Sequence, residues 1–286
     1  MRYLKQNKIT LVGTFSRKWC VDPWFSALQS LDLPREYVKL LIYCNSDNVL
    51  LEEELVKWCE SIGDQYSSVA LYTSKRKGYA NLEGYPDVDF DKSKLKHIWL
   101  MWNDIKDMIT TETFMLIEDD TLAPKNAFWD LFKVLMSDKK IGLVTAIETG
   151  RTKRHWIPVR LGVHYLKRKG NKIIERISLD PNSKGIKDID ASGVYCFVAR
   201  TDAYKSGFVG MEEYIKEIPF FAIDNILTNN IKRNGWKIKA NFNVWCDHLQ
   251  LMAGSIYKFN KKNAVPMADL WIDKYKNYAQ GVIIKK

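Results

Sequence analysis

Three consecutive carboxylates, Glu118, Asp119 and Asp120, directly follow the apolar run at residues 114–117. Hard divalent cations favour clustered oxygen ligands, and Mg²⁺ or Mn²⁺ commonly bridges one or two carboxylates to substrate phosphates. Adjacent acids repel one another unless a cation or a helix N-terminus compensates them. Two readings are therefore open: the acids hold a metal, or Asp119 or Asp120 caps or charge-complements a helix starting near Pro124. Later in the chain Asp224 opens a helical pattern and His248 closes an apolar stretch. Taken alone, Asp224 reads as an N-terminal helix acid favoured by the dipole and His248 as an ordinary packed or surface histidine. His97, at a charged helix start, and His155 and His164, in a basic segment, have weaker claims.

The elements around these groups follow from periodicity. Residues 114–117 have the length and bounding signals of a buried strand, and Ala127, Phe128, Leu131, Phe132, Leu135 and Met136 mark one face of a helix with Pro124 at its start. The acids thus fall at the carboxyl end of a strand, the edge where open α/β sheets bind ligands. Residues 8–14, 38–44 and 67–72 read as strands, Asp22-Pro23 as the cap of a helix reaching Leu31, and residues 50–62 as a helix stopped by Gly63. Residues 74–94, with Lys77, Gly78, Gly84 and Pro86, predict a long loop, and residues 95–109 a helix. Downstream, residues 141–147, 172–177 and 194–199 read as strands. Thr201 reads as the cap of a short helix ending at Gly207, residues 223–234 as a helix closed by Gly235, and residues 236–242 as a strand leading to His248. The alternation predicts a mostly parallel, doubly wound sheet with helices on both faces.

Composition narrows the class. Apolar residues make up 46% and charged residues 27%, as in ordinary soluble globular proteins. No window reaches the ~18 uninterrupted apolar residues of a membrane span, and no apolar stretch near residue 1 has the length of a signal peptide, so a cytoplasmic protein is expected. The 5 cysteines include no Cys-x-x-Cys pair, which argues for reduced thiols rather than a disulfide framework or a zinc ribbon. Lys and Arg outnumber Asp and Glu by 44 to 34, a formal charge of +10, and the pI is near 9.2. That balance favours an anionic partner. Residues 151–172 concentrate it, with eight Lys or Arg, two His and no acid, interleaved with Trp156 and Tyr165. Such a segment suits a groove for a polyanion in which aromatics stack on a sugar or base.

The order of these features resembles the GT-A nucleotide-sugar glycosyltransferases, particularly the inverting family-two enzymes. The resemblance spans most of residues 8–248. It implies a GT-A fold in one domain, with residues 1–147 as the nucleotide-sugar-binding half, residues 148–250 as a smaller acceptor-side half and residues 251–286 as a basic extension. It implies transfer of a sugar from a nucleotide diphosphate sugar, here a UDP-sugar, to a hydroxyl with Mn²⁺ or Mg²⁺ as cofactor. Glu118-Asp119-Asp120 stands where the family has its Asp-x-Asp motif, with Glu in place of the first Asp. Asp120 then ligates the metal, and Glu118 and Asp119 lie on the donor, Glu118 at the ribose or a metal-bound water. Asp224 matches the last acid of the family's Glu-Asp pair, the general base, although Ile223 replaces its first member. His248 matches a late histidine that ligates the metal in some members. Thr14 and Asp47 fall at nucleoside and base positions, where a turn or cap residue is an equal reading, and Lys77 lies in the long loop, where it either meets the donor or belongs to a solvated charge run. Implied acceptors are a hydroxymethylated base in DNA, in a phage-infected host, or a membrane-associated polysaccharide or lipid precursor. Rival classes are a noncatalytic nucleic-acid- or carbohydrate-binding protein and a nucleotidyltransferase. The latter should carry a glycine-rich basic loop after the first strand, of which residues 13–18 are a poor version.

Overall fold

The computed structural model describes residues 2–74, 94–148, 161–169, 172–211, 223–252, 255–259 and 264–266. Helix α1 (Arg2–Gln6) precedes strand β1 (Ile9–Phe15), helix α2 (Val21–Ser30), β2 (Val38–Cys44), α3 (Val49–Ile62) and β3 (Ser68–Thr73). Next come α4 (Lys94–Met108), β4 (Thr113–Glu118), β5 (Thr121–Leu122), α5 (Ala127–Met136) and β6 (Ile141–Glu148). The remainder comprises β7 (Val163–Lys169), β8 (Lys172–Ser178), β9 (Ile186–Asp188), β10 (Ala191–Ser192), β11 (Cys196–Arg200), α6 (Thr201–Ser206) and α7 (Ile223–Arg233). It closes with β12 (Lys237–Met252), β13 (Ser255–Phe259) and β14 (Ala264–Pro266).

The main sheet runs in the order β3, β2, β1, β4, β11, β6, β12, β13, β14. Strands β3, β2, β1 and β4 are mutually parallel, as are β6 and β12, while β11 lies antiparallel between β4 and β6. A second, three-stranded sheet pairs β7 with β8 and with β10. The continuous apolar strands follow from burial on both faces. In β4, Met115 and Ile117 join the core beneath α2, α3 and α5, whereas Phe114 and Leu116 join the core beneath α4, α6 and α7. Residues alternate in the same way along β1, with Leu11 and Phe15 on one face and Val12 on the other.

Several local expectations yield to tertiary partners. Asp22 does not cap α2; it sits in the first turn of the helix and accepts the Trp58 indole N–H at 2.9 Å, joining α2 to α3. Thr201 is no side-chain cap either, because its hydroxyl donates to the Thr111 carbonyl at 2.6 Å. Helix α5 begins at Ala127 rather than at Pro124, whose carbonyl accepts the Ala127 N–H at 2.9 Å in a turn ahead of the helix. Strand β12 continues well past residue 242, through His248, with a register shift between Ala240 and Trp245. Cys20, Cys44, Cys196 and Cys246 are buried, Cys59 is half-buried, and all five are free thiols. Among the described residues no helix is long and apolar enough to cross a membrane. Most of the expected loop at residues 74–94, the basic run at residues 151–160 and much of the lysine-rich tail lie outside the described residues.

Candidate functional site at the carboxyl end of β4

Asp119 ties this edge together. Its Oδ2 accepts the backbone N–H of Ser16 at 2.9 Å and that of Arg17 at 3.1 Å, and its Oδ1 pairs with the Arg17 guanidinium at 3.0 Å. The carboxylate is buried, so these charge-assisted bonds fix the segment after β1 onto the end of β4. Neither Asp119 nor Asp120 caps α5, whose N-cap residue is Asn126.

Asp120, 1% exposed, presents Oδ2 to two partners. One is Nη1 of Arg17; the other is Nε2 of His248 at 3.2 Å. His248 reaches this point because β5 pairs antiparallel with β12, setting His248 opposite Thr121. The Leu249 N–H then donates to the Asp120 carbonyl at 2.7 Å and locks the register. On its other side the imidazole Nδ1 faces Glu148 Oε2 at 3.4 Å, while Thr121 Oγ1 donates to Glu148 Oε1 at 2.8 Å. This is the carboxylate–histidine arrangement that orients a metal-binding imidazole.

Electrostatics follow from the crowding. Burial pushes the Glu118 carboxyl up to about 8, with the charges of Asp120 and Glu148 adding and Arg17 opposing. The neutral form of Glu118 is thereby favoured. Burial works against the Arg17 charge, but Asp119 and Asp120 outweigh it and raise the guanidinium pKa further. Thr14, also buried, is the neighbour of Glu118 across the β1–β4 ladder.

Asp224 sits on a separate element, α7. It opens α7 beside Gly193, where an added Cβ would lie 3.3 Å from Asp224 Oδ2 and 2.6 Å from the Tyr195 ring. Glycine alone permits that approach. Two residues on, the Tyr195 carbonyl accepts the Glu118 N–H at 2.8 Å and its hydroxyl donates to the Ala146 carbonyl at 3.1 Å. The buried Thr228 hydroxyl pins α7 to β10, accepting from the Ser192 N–H at 2.9 Å and facing its carbonyl at 3.1 Å. Burial pushes the Asp224 carboxyl up to about 6; the Asn225 N–H, 2.7 Å from Oδ1, and the nearby Arg176 charge hold it from rising further. A base with that pKa is well placed to work near neutral pH.

The other sequence-expected residues are dispersed. Asp47 is exposed beyond β2, and Asn48 rather than Asp47 caps α3, accepting from the Leu50 and Leu51 N–H groups. Lys77, with Gly78, His155 and Trp156, lies outside the described residues. His164 is buried in β7, and burial, aided by the Arg176 charge, lowers its pKa to about 4, so it is neutral at physiological pH. Gly13 lies within β1 against Trp24 and residues 18–20 form a single 3-10 turn, so β1 is not followed by a glycine-rich phosphate loop.

Sequence reasoning overlooked Arg17 and Glu148. Glu148 carried a usable signal, since it is an acid at the end of a buried strand, the same pattern that singled out Glu118. Arg17 carried none beyond its closeness to β1. Among the described residues no group of three or more His, Cys, Asp or Glu side chains is arranged to hold a metal unaided. Asp120 and His248 supply two donors, a set that fits a cation completed by substrate phosphate oxygens.

No protein-family model and no curated protein matches the sequence. Solved structures do match in fold. The mannosyltransferase PcManGT from Pyrobaculum calidifontis, solved with GDP-Man and Mn²⁺, superposes with a TM-score of 0.50 at 11% identity, over 84% of this chain and 56% of that one. GalNAc-T7, solved with UDP, GalNAc and Mn²⁺, superposes with a TM-score of 0.54 at 11% identity, over 87% of this chain and 45% of that one. The chain thus spans about half the length of these two proteins. A central sheet flanked by helices on both faces, with acids at the carboxyl end of β4, gives this chain the fold of the GT-A-type glycosyltransferases.

Proposed function

We propose that this protein is a metal-dependent glycosyltransferase that moves a sugar from a nucleotide diphosphate sugar, a UDP-sugar, to a hydroxyl acceptor with inversion. The observation that carries this reading is the meeting of Asp120 and His248 at the carboxyl end of β4, with Glu148 behind the imidazole, within a GT-A fold. Asp120 and His248 would hold Mn²⁺ or Mg²⁺, which when bound supplies Lewis-acid stabilisation of the leaving diphosphate. Thr14 and Glu118, paired across β1 and β4, would face the nucleoside, and Asp47, after β2, would lie toward the base. Asp119 keeps the segment after β1 in register with β4. Asp224 takes the proton from the acceptor hydroxyl, so that attack on the anomeric carbon comes from the face opposite the diphosphate.

The excess of basic residues and the Arg176 charge near Asp224 support an acceptor of anionic character. Two sources fit: DNA carrying hydroxymethylated bases, and a glycan precursor at an anionic membrane surface. The first test is thermal stabilisation and metal-dependent hydrolysis with a panel of nucleotide sugars in the presence of Mn²⁺. Stabilisation by at least one is expected; a response to none overturns the donor-site reading. Transfer to hydroxymethylated DNA and to lipid-linked glycans then separates the acceptors.

A further inference from the structure

The Asp120 oxygen that faces His248 also meets an arginine from the segment after β1. Arg17 bonds Asp119 through Nη2 and Asp120 through Nη1, and its Nη1 meets the same Asp120 oxygen that faces His248 Nε2. Its backbone N–H is fixed by Asp119, so the guanidinium is held over the acid pair from a rigid base. Its Nε is buried and has no hydrogen-bond acceptor, and the side chain keeps only a 16% exposed edge. An arginine fork matches a phosphate as well as it matches a carboxylate pair.

Resting on the donor-site reading above, we propose that Arg17 is a built-in counter-cation that competes with the divalent metal for Asp120 and is released onto the donor diphosphate. With no donor, a metal at Asp120 and His248 would face the guanidinium charge across one shared oxygen. With a diphosphate present, Arg17 gains an anionic partner and Asp120 becomes available to the metal. Metal and nucleotide then bind as a coupled pair, and the acid edge is kept from taking up a divalent cation alone. Arg17 is thus a positioning residue whose effect is read in binding, apart from turnover.

The test is Mn²⁺ titration of the full chain, followed by electron paramagnetic resonance, with and without saturating UDP or GDP. In the wild type the nucleotide should tighten Mn²⁺ binding by about tenfold or more, within the usual range of coupling between sites. In Arg17→Gln, Mn²⁺ alone should bind at least about tenfold more tightly than to the wild type, and the nucleotide should change that by less than about threefold. Thermal unfolding gives an independent readout, since Mn²⁺ alone should stabilise Arg17→Gln more than the wild type. If Arg17→Gln fails to fold, Arg17→Lys, which keeps a point charge but loses the fork, should show partly reduced coupling. Wild-type Mn²⁺ affinity indifferent to nucleotide, or coupling unchanged in the variant, overturns the proposal. Failure of wild type to bind Mn²⁺ and nucleotide together in any combination overturns the donor-site reading instead.

Discussion

Asp224 gives the sharpest prediction because its proposed role and its environment both set a pH. Burial raises its carboxyl to about 6, and a general base acts only when ionised. At pH 7 such a group is about 90% ionised and at pH 5 about 9%, so kcat/KM should fall about tenfold over that interval, with a single acid limb. Asp224→Asn should lower turnover by about 10²- to 10⁴-fold and flatten the limb. Arg176 lowers the Asp224 pKa, so Arg176→Gln should move the limb to higher pH. The same shift acts on folding with the opposite sign. The native state holds this proton more tightly than the unfolded chain, whose value is 3.8, so the stabilising contribution is complete below that pH. It is lost as pH rises through about 6, and Asp224→Asn should remove that slope from denaturant-derived stabilities. The assay is initial-rate transfer from pH 4.5 to 8 with Mn²⁺ and donor saturating. An acid limb that persists in Asp224→Asn at near wild-type rate would refute the assignment.

Glu148→Gln should weaken Mn²⁺ affinity in the nucleotide-bound protein by roughly 10- to 100-fold, the usual cost of losing a carboxylate behind a metal-binding histidine, read by calorimetry. Gly193→Ala drives a methyl into the Tyr195 ring and toward Asp224; transfer should fall while UDP-dependent thermal stabilisation is retained. Leu131→Ala empties a fully buried position on α5 and should cost about 2–5 kcal/mol in urea unfolding, with Mn²⁺ binding to the folded fraction unaltered.

Much of this fold is legible in the chain because β1, β2, β4 and β6 are apolar on both faces, which is how strands covered on two sides read. The orientation of β11 is not legible: a strand buried on both faces has the same pattern whether it runs with or against β4. Asp22 and Thr201 look like caps by sequence position, but Trp58 and the Thr111 carbonyl, distant in sequence, take their oxygen atoms. The acidic edge is visible as three carboxylates after an apolar run, yet its division of labour is not. That Asp119 binds backbone while Asp120 faces His248 depends on Ser16, Arg17 and the pairing of β5 with β12, none of which leaves a periodic trace.

That pairing also bears on how the molecule is made. Asp120 and His248 are 128 positions apart, so on a ribosome adding about 5–20 residues per second the acid emerges roughly 6 to 26 s before its histidine. Throughout that interval β1, β2 and β4 can assemble from near neighbours, whereas β12 must close a long loop to reach β5. Arg17, already beside the acids, can neutralise the nascent strand end before His248 has been synthesised, so β4 need not wait for β12 to bury its carboxylates.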